Sequence, residues 1–218
     1  MKGICIIGRK GGTGKSTLSH AIGLGAALLK IPAYVIHTDN QAFPENAQER
    51  PYALLDGRTP ESLMDWINKA AEREDGLLVI DGAAGRGDLD IKIAEYMDLV
   101  LIPVIPSGNA IDEAIQHSER VPNSYFLINN MPTNKFRRKY VVDRYFNRLD
   151  NSKIIGTLPK TESVDLLTDL KGDFIPSPKT RSFSRQAFLM ITKHPHINID
   201  LLDMLAKIKI GRRTNPGN

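Results

Sequence analysis

Gly8-Arg9-Lys10-Gly11-Gly12-Thr13-Gly14-Lys15-Ser16-Thr17 stands between the apolar run Ile4-Cys5-Ile6-Ile7 and a helical pattern from Leu18 to Lys30. A glycine-rich turn joining a strand to a helix lets backbone N–H groups converge on anionic oxygens, and the helix N-terminus adds the positive end of its dipole. The stretch therefore reads as a phosphate-binding loop. Lys10, Gly11, Gly12, Thr13, Gly14, Lys15, Ser16 and Thr17 make the cradle, Lys15 reaches the β- and γ-phosphates of a nucleotide, and the Ser16 hydroxyl coordinates Mg²⁺. Arg9 occupies the place of the first glycine in the strict G-x-x-x-x-G-K-[ST] pattern, and Lys10 supplies a second lysine at the head of the loop.

Outward from the loop, apolar runs recur and several end in acids or amides. Ala33-Tyr34-Val35-Ile36-His37 leads into the acidic turn Thr38-Asp39-Asn40-Gln41, and Leu77-Leu78-Val79-Ile80 ends in Asp81. Near-continuous apolar runs mark parallel strands buried on both faces, and their carboxyl ends are where open α/β sheets bind ligands. Strands are expected at 3–7, 33–37, 77–81, 98–103, 124–129 and 153–157, alternating with helical patterns. That order predicts an α/β fold, a mostly parallel sheet with helices on both faces. The polar stretch from Gln41 to Pro60, with Pro44, Pro51 and Pro60, reads as a long loop before a helix over Glu61–Glu72.

In combination these segments resemble the ParA/MinD family of dimerising ATPases, whose phosphate loop carries the same extra lysine and in some members also lacks the first glycine. His37-Thr38-Asp39-Asn40-Gln41 is similar to the family's Asp-x-Asp-Pro-Gln switch, with His37 in place of the first Asp and Asn40 in place of Pro. The resemblance implies that Asp39 orients the attacking water and lies near the metal, and that Asp81 holds Mg²⁺ as the Walker B acid, although Gly82-Ala83-Ala84 departs from the usual continuation. Asp98 to Ser107 resembles the strand ending in Pro-x-x-Pro-Ser. Tyr125 to Asn130 resembles the strand whose terminal Asn reads adenine, a task suited to an amide's paired donor and acceptor. Asn129 takes that place, and a shift of one residue would exchange it for Asn130. Ile154 to Pro159 resembles the last core strand, with Pro159 bordering the base. The cofactors implied are ATP and Mg²⁺. In the implied mechanism two subunits sandwich two ATP molecules, and Lys10 of each reaches the phosphates held by the other.

Composition fits one P-loop ATPase domain over residues 1–210 and a basic, disordered tail over 211–218. The 218 residues, 41% hydrophobic, suffice for one full core and are few for two. No apolar run nears the roughly 20 residues needed to span a bilayer. The opening residues lead straight into the loop and do not read as a signal peptide. No helix-turn-helix precedes the loop, so sequence-specific repression is not expected. The single cysteine, Cys5, is expected to be inert core; relatives that bridge an iron–sulfur cluster need cysteine pairs.

Charge distribution points to a polyanionic partner. There are 29 Lys and Arg against 25 Asp and Glu, and the basic residues cluster. On a helix expected over Lys135–Arg148, Phe136, Tyr140, Val141, Tyr145 and Leu149 should face the core, leaving Arg137, Arg144 and Arg148 on a shared outer face. Lys179, Arg181 and Arg185 form a second group after Pro176-Ser177-Pro178, and Lys207, Lys209, Arg212 and Arg213 a third. With the resemblance, these imply a DNA partition protein that dimerises on ATP, binds DNA nonspecifically through phosphates, and answers to a small centromere-binding adaptor. Its expected place is cytoplasmic and nucleoid-associated, without membrane attachment. A same-family ATPase for conjugation or other cargo would share every motif. A MinD-like membrane cycler would need a terminal amphipathic helix, and the stripe Leu201, Leu202, Leu205 and Ile208, with Asp200 and Asp203 among it, reads instead as core packing. A P-loop synthetase or small-molecule kinase would need neither Lys10 nor a basic surface.

Overall fold

Apolar runs too short for helices form strands buried on both faces of one sheet. In the computed structural model, which describes residues 1–83, 87–121 and 123–197, seven strands lie side by side and all pair in parallel. They are β1 (Lys2–Ile6), β2 (Ala33–His37), β3 (Ala53–Asp56), β4 (Leu77–Asp81), β5 (Leu99–Val104), β6 (Ser124–Met131) and β7 (Ile154–Pro159), in the spatial order β3-β2-β4-β1-β5-β6-β7. Among the described residues the helices α1 (Lys15–Leu28), α2 (Pro60–Ala71), α3 (Gly87–Ala94), α4 (Gly108–Arg120) and α5 (Lys135–Arg144) run between strands, and α6 (Pro178–Thr192) follows β7. One apolar layer packs α1 and α6 against the sheet, and a second packs α2 to α5 on the opposite face. The doubly wound α/β architecture is therefore present, with β1 central.

Local chemistry sets the helix starts. Thr59 caps α2 by accepting from the Ser62 N–H, Ser177 caps α6 by accepting from the Thr180 N–H, and Pro60 and Pro178 occupy first-turn positions where a missing N–H costs nothing. Asn134 caps α5 by accepting from the Phe136 and Arg137 N–H groups. Helix α1 is buried between sheet and α6 because Gly25 has no side chain. A Cβ there would stand 2.2 Å from the Ser184 carbonyl oxygen and 2.6 Å from Phe188 Cβ.

Two expectations fail. The stretch from Gln41 to Pro60 is not all loop, since Ala53-Leu54-Leu55-Asp56 adds edge strand β3 beside β2. Four residues between Pro51 and Gly57 carry little periodicity, and the neighbour that completes their hydrogen bonding is distant in sequence. The helix expected over Lys135–Arg148 ends at Arg144, and a separate 3-10 turn covers Phe146–Arg148. Helix α5 itself turns only Val141 inward and leaves Phe136 and Tyr140 84% and 58% exposed, and after the break Phe146 and Leu149 enter the core. The proposed tail 211–218 and the stripe from Leu201 to Ile208 lie outside the described residues.

Candidate nucleotide-binding site

Parallel strands bring their carboxyl ends to one edge, and the register fixes which residues meet. Ile6 of β1 and His37 of β2 both pair with Asp81 of β4, placing the phosphate loop, the Thr38–Asp39 turn and Asp81 at one level. This is the point where connections depart to opposite sides of the sheet, the position at which open α/β folds bind ligands.

The loop is shaped by left-handed glycines. Gly12 and Gly14 have φ of 76° and 92°, and a Cβ on Gly14 would lie 2.3 Å from Asn129 Nδ2. Helix α1 starts at Lys15, so the first-turn N–H groups, those of Lys15, Ser16 and Thr17 included, have no partners within the helix and face the loop. Lys15 is buried, and its Nζ donates to the Lys10 carbonyl at 3.1 Å. Burial lowers its pKa below the ordinary lysine value; the carboxylates of Asp81, Asp90 and Asp39 act in the opposite direction. The Lys10 ammonium points elsewhere, toward Glu113 of α4 at 4.0 Å, with 30% of the side chain exposed.

Asp81 is fully buried at the foot of the loop. Its Oδ1 accepts from the Ser19 hydroxyl at 3.1 Å, its backbone carbonyl accepts from the Thr38 hydroxyl at 2.6 Å, and its Oδ2 has no hydrogen-bond partner. Desolvation pushes its pKa up to about 6, against the lowering influence of the Ser16 and Ser19 hydroxyls and the Lys15 charge. Asp39 is half-buried, close enough for its charge to act on both Lys15 and Asp81. His37 is buried edge-on to Phe43, ring centroids 6.1 Å apart, and burial lowers its pKa.

Lys10, Lys15, Ser16, Asp39 and Asp81 thus gather around one loop. The orphaned Asp81 Oδ2 and the neighbouring Ser16 hydroxyl fit a hard cation beside a phosphate. Among the described residues no group of three or more His, Cys, Asp or Glu could hold a metal by itself. A hydroxyl and one carboxylate, completed by phosphate oxygens and water, is the set Mg²⁺ accepts. Ser19 and Thr38 were missed in the sequence. Ser19 lies three residues after Ser16, hence on the same helix face, and that spacing was the available signal. Glu113, which holds Lys10, had none.

Asn129 is buried at the end of β6 and turned toward the phosphate loop. Its Nδ2 donates to the Thr13 carbonyl at 3.0 Å, and its Oδ1 is without a partner. Asn130 is exposed and left-handed, with φ of 56°. Pro159 ends β7 opposite Met131, half-buried.

The basic residues do not form the single face expected of an unbroken helix. Arg137 lines a cleft of about 570 Å³ with Lys179 of α6 and with Lys160, a residue outside all three basic groups of the sequence. Arg148, beyond the end of α5, is paired with Asp112 of α4, and the Arg144 guanidinium lies over Tyr140 and Tyr145 at 5.8 and 5.7 Å. Arg181 donates to the Pro176 carbonyl, and Arg185 is exposed one turn further along α6. Among the described residues no helix is long and apolar enough to cross a membrane. Cys5 is buried in β1.

No family model matches the chain, and no curated protein matches it by sequence. Solved structures do. A plasmid partition protein of Borrelia burgdorferi bound to AMPPNP is 16% identical over 88% of this chain and 98% of its own, with a TM-score of 0.62. The septum site-determining protein MinD of Pyrococcus horikoshii, complexed with Mg-ADP, is 15% identical over 95% and 98%, with a TM-score of 0.58. The cell division protein MinD of Aquifex aeolicus is 17% identical over 96% of this chain and 97% of its own, with a TM-score of 0.55. The fold of this chain is that of the ParA/MinD ATPases.

Proposed function

We propose that this chain is an ATPase of the ParA kind, which binds Mg·ATP at the loop Lys10–Thr17, dimerises around it, and binds DNA nonspecifically to partition a DNA cargo. The observation that carries the reading is the pair of loop lysines with opposite orientations. Lys15 lies inside the loop, poised to exchange the Lys10 carbonyl for phosphate oxygens. Lys10 reaches outward to the partly exposed Glu113, so its ammonium is available to the phosphates of a second copy. A cation in trans spreads charge from the transferred phosphoryl group as an arginine finger does.

Position supports the remaining roles in this reading. Ser16 and Asp81 hold Mg²⁺, which when bound neutralises phosphate charge. Asp39, on the turn tethered to Asp81 through Thr38, orients the water that attacks the γ-phosphorus. The Asn129 Oδ1 accepts from the adenine amino group, and Pro159 borders the base. Arg137, Lys160 and Lys179 contact DNA phosphates, with Arg181 and Arg185 extending the basic track along α6. Arg144 and Arg148, already engaged, contribute less. A small adaptor at a centromere-like site stimulates hydrolysis, and the protein resides on the nucleoid.

ATP turnover and sedimentation, with and without nonspecific duplex DNA across a salt series, test this reading. DNA association should require ATP. Neutralising Arg137, Lys160 and Lys179 should weaken it equally for all sequences and reduce the log–log salt slope by about 0.9 for each phosphate the protein no longer neutralises. Lys15→Ala should abolish nucleotide binding and, with it, ATP-dependent DNA association. Unchanged ATP affinity in Lys15→Ala, or turnover driven by a small-molecule acceptor and indifferent to DNA, overturns the assignment.

A further inference from the structure

Helix α5 carries the most exposed aromatic ring among the described residues. Phe136 is 84% exposed and Tyr140, one turn on, is 58% exposed. A helix this short gains most of its stability from packing, yet α5 buries Val141 and turns both rings to solvent. Offsets of four place them on one side, about 6 Å apart along the axis.

Charge surrounds the rings. Lys135 and Lys139 stand beside them, and with Phe136, Tyr140 and Asp143 they line a shallow hollow of about 370 Å³. The Arg144 guanidinium covers part of Tyr140 at 5.8 Å from the ring centroid. Among the ten residues of α5 only Asp143 is acidic, against five lysines and arginines. Exposed aromatic faces interleaved with cations are the arrangement that binds unpaired nucleotides: the rings stack on bases and the cations follow the phosphates. Duplex DNA offers the cations the same phosphates but keeps its base faces in the stack, so only a strand with free bases uses both features.

We propose that the outer face of α5 is a single-stranded nucleic-acid platform, on which Phe136 and Tyr140 each stack an unpaired base while Lys135 and Lys139 contact the flanking phosphates. This deepens the nucleic-acid part of the proposed function and rests on it. The platform is distinct from the cleft of Arg137, Lys160 and Lys179, which offers cations without aromatic rings. Spacing of the two rings fits consecutive bases drawn apart along an extended strand, and the stacking is indifferent to base identity.

The test is fluorescence anisotropy of the full chain with Mg²⁺ and a non-hydrolysable ATP analogue, titrated against a labelled oligo(dT) strand and against a labelled mixed-sequence duplex, each across a salt series. Oligo(dT) should bind more tightly than duplex. The double variant Phe136→Ala/Tyr140→Ala should lose about 30-fold or more of its oligo(dT) affinity, the scale for two stacked bases, with the salt slope unchanged because no charge is removed. Its duplex binding should stay at the parent level. Phe136→Tyr/Tyr140→Phe, which keeps both rings, should bind as the parent does. Both positions are solvent-exposed, so the variants should unfold at the parent temperature.

Equal oligo(dT) affinity in the parent and the double alanine variant overturns the proposal, leaves duplex binding at the cleft standing, and points to a protein partner for the rings. Loss of duplex and oligo(dT) binding together in the double variant also overturns it, because the rings would then serve the general DNA surface. Absence of binding to either ligand by the parent overturns the proposal together with the DNA reading beneath it.

Discussion

Replacing Asp81 by Asn should stabilise the nucleotide-free protein while removing the carboxylate proposed to hold Mg²⁺. Burial raises the Asp81 pKa to about 6 from a reference value of 3.8. Below the lower value the group is protonated in folded and unfolded chains alike and costs nothing. Between the two values the unfolded chain loses the proton first, so the native state holds more protons and stability falls as pH rises. Above about pH 6 the whole penalty is present, about 3 kcal/mol for a shift of about two units. Asparagine retains an oxygen for the Ser19 hydroxyl but introduces an amide donor near the orphaned Oδ2 position, and an unfilled buried donor costs about 1–3 kcal/mol. The Ser16 hydroxyl can accept one of its hydrogens, leaving a net gain of up to about 2 kcal/mol. For a domain of this size that is up to about 8 °C in Tm.

Thermal unfolding of parent and Asp81→Asn by circular dichroism, without nucleotide or divalent cation, provides the assay. The gap should open between about pH 4 and pH 6 and stay level above. Adding Mg·ATP should raise the Tm of the parent well above that of the variant. A variant less stable than the parent at neutral pH, or a gap that does not change with pH, would refute the argument that Asp81 is a buried, desolvated charge.

Lys10→Ala should still bind ATP yet neither dimerise stably nor hydrolyse it, as measured by sedimentation and phosphate release; near-normal turnover would indicate that the lysine has no role in trans. Asp39→Ala should retain ATP binding and dimerisation and lose about 10²-fold or more in hydrolysis rate, whereas loss of binding as well would assign Asp39 to the metal or the fold. Gly25→Val should destabilise the chain by about 1–3 kcal/mol or more through overpacking of α1 against α6; a denaturation midpoint equal to that of the parent would contradict the close approach to Ser184.

The core strands were legible because a strand buried on both faces must be apolar throughout, and the phosphate loop because only glycines permit its backbone. Asp39 and Asp81 could be picked out because Asp81 ends such a strand and Asp39 lies in the turn just beyond another. β3 was not legible, since its partner β2 lies across the whole 38–52 connection and four edge residues carry no pattern of their own. Neither was the orientation of α5. A helical period continued through Leu149 puts Phe136 and Tyr140 inside, whereas the chain breaks at Tyr145 and lets Phe146 take the core position.

Local sequence, then, determined the loop, the strand order along the chain and the acids at the strand ends, all of which depend on backbone conformation and nearest neighbours. Tertiary structure alone decided what those groups face. Asn129 turns to the Thr13 carbonyl, Lys10 reaches Glu113, Arg137 comes to line one cleft with Lys160 and Lys179, and Arg148 leaves the basic face for Asp112. Each of these arrangements joins residues far apart in the chain, and parallel crossovers fix such distances only once the whole sheet has formed.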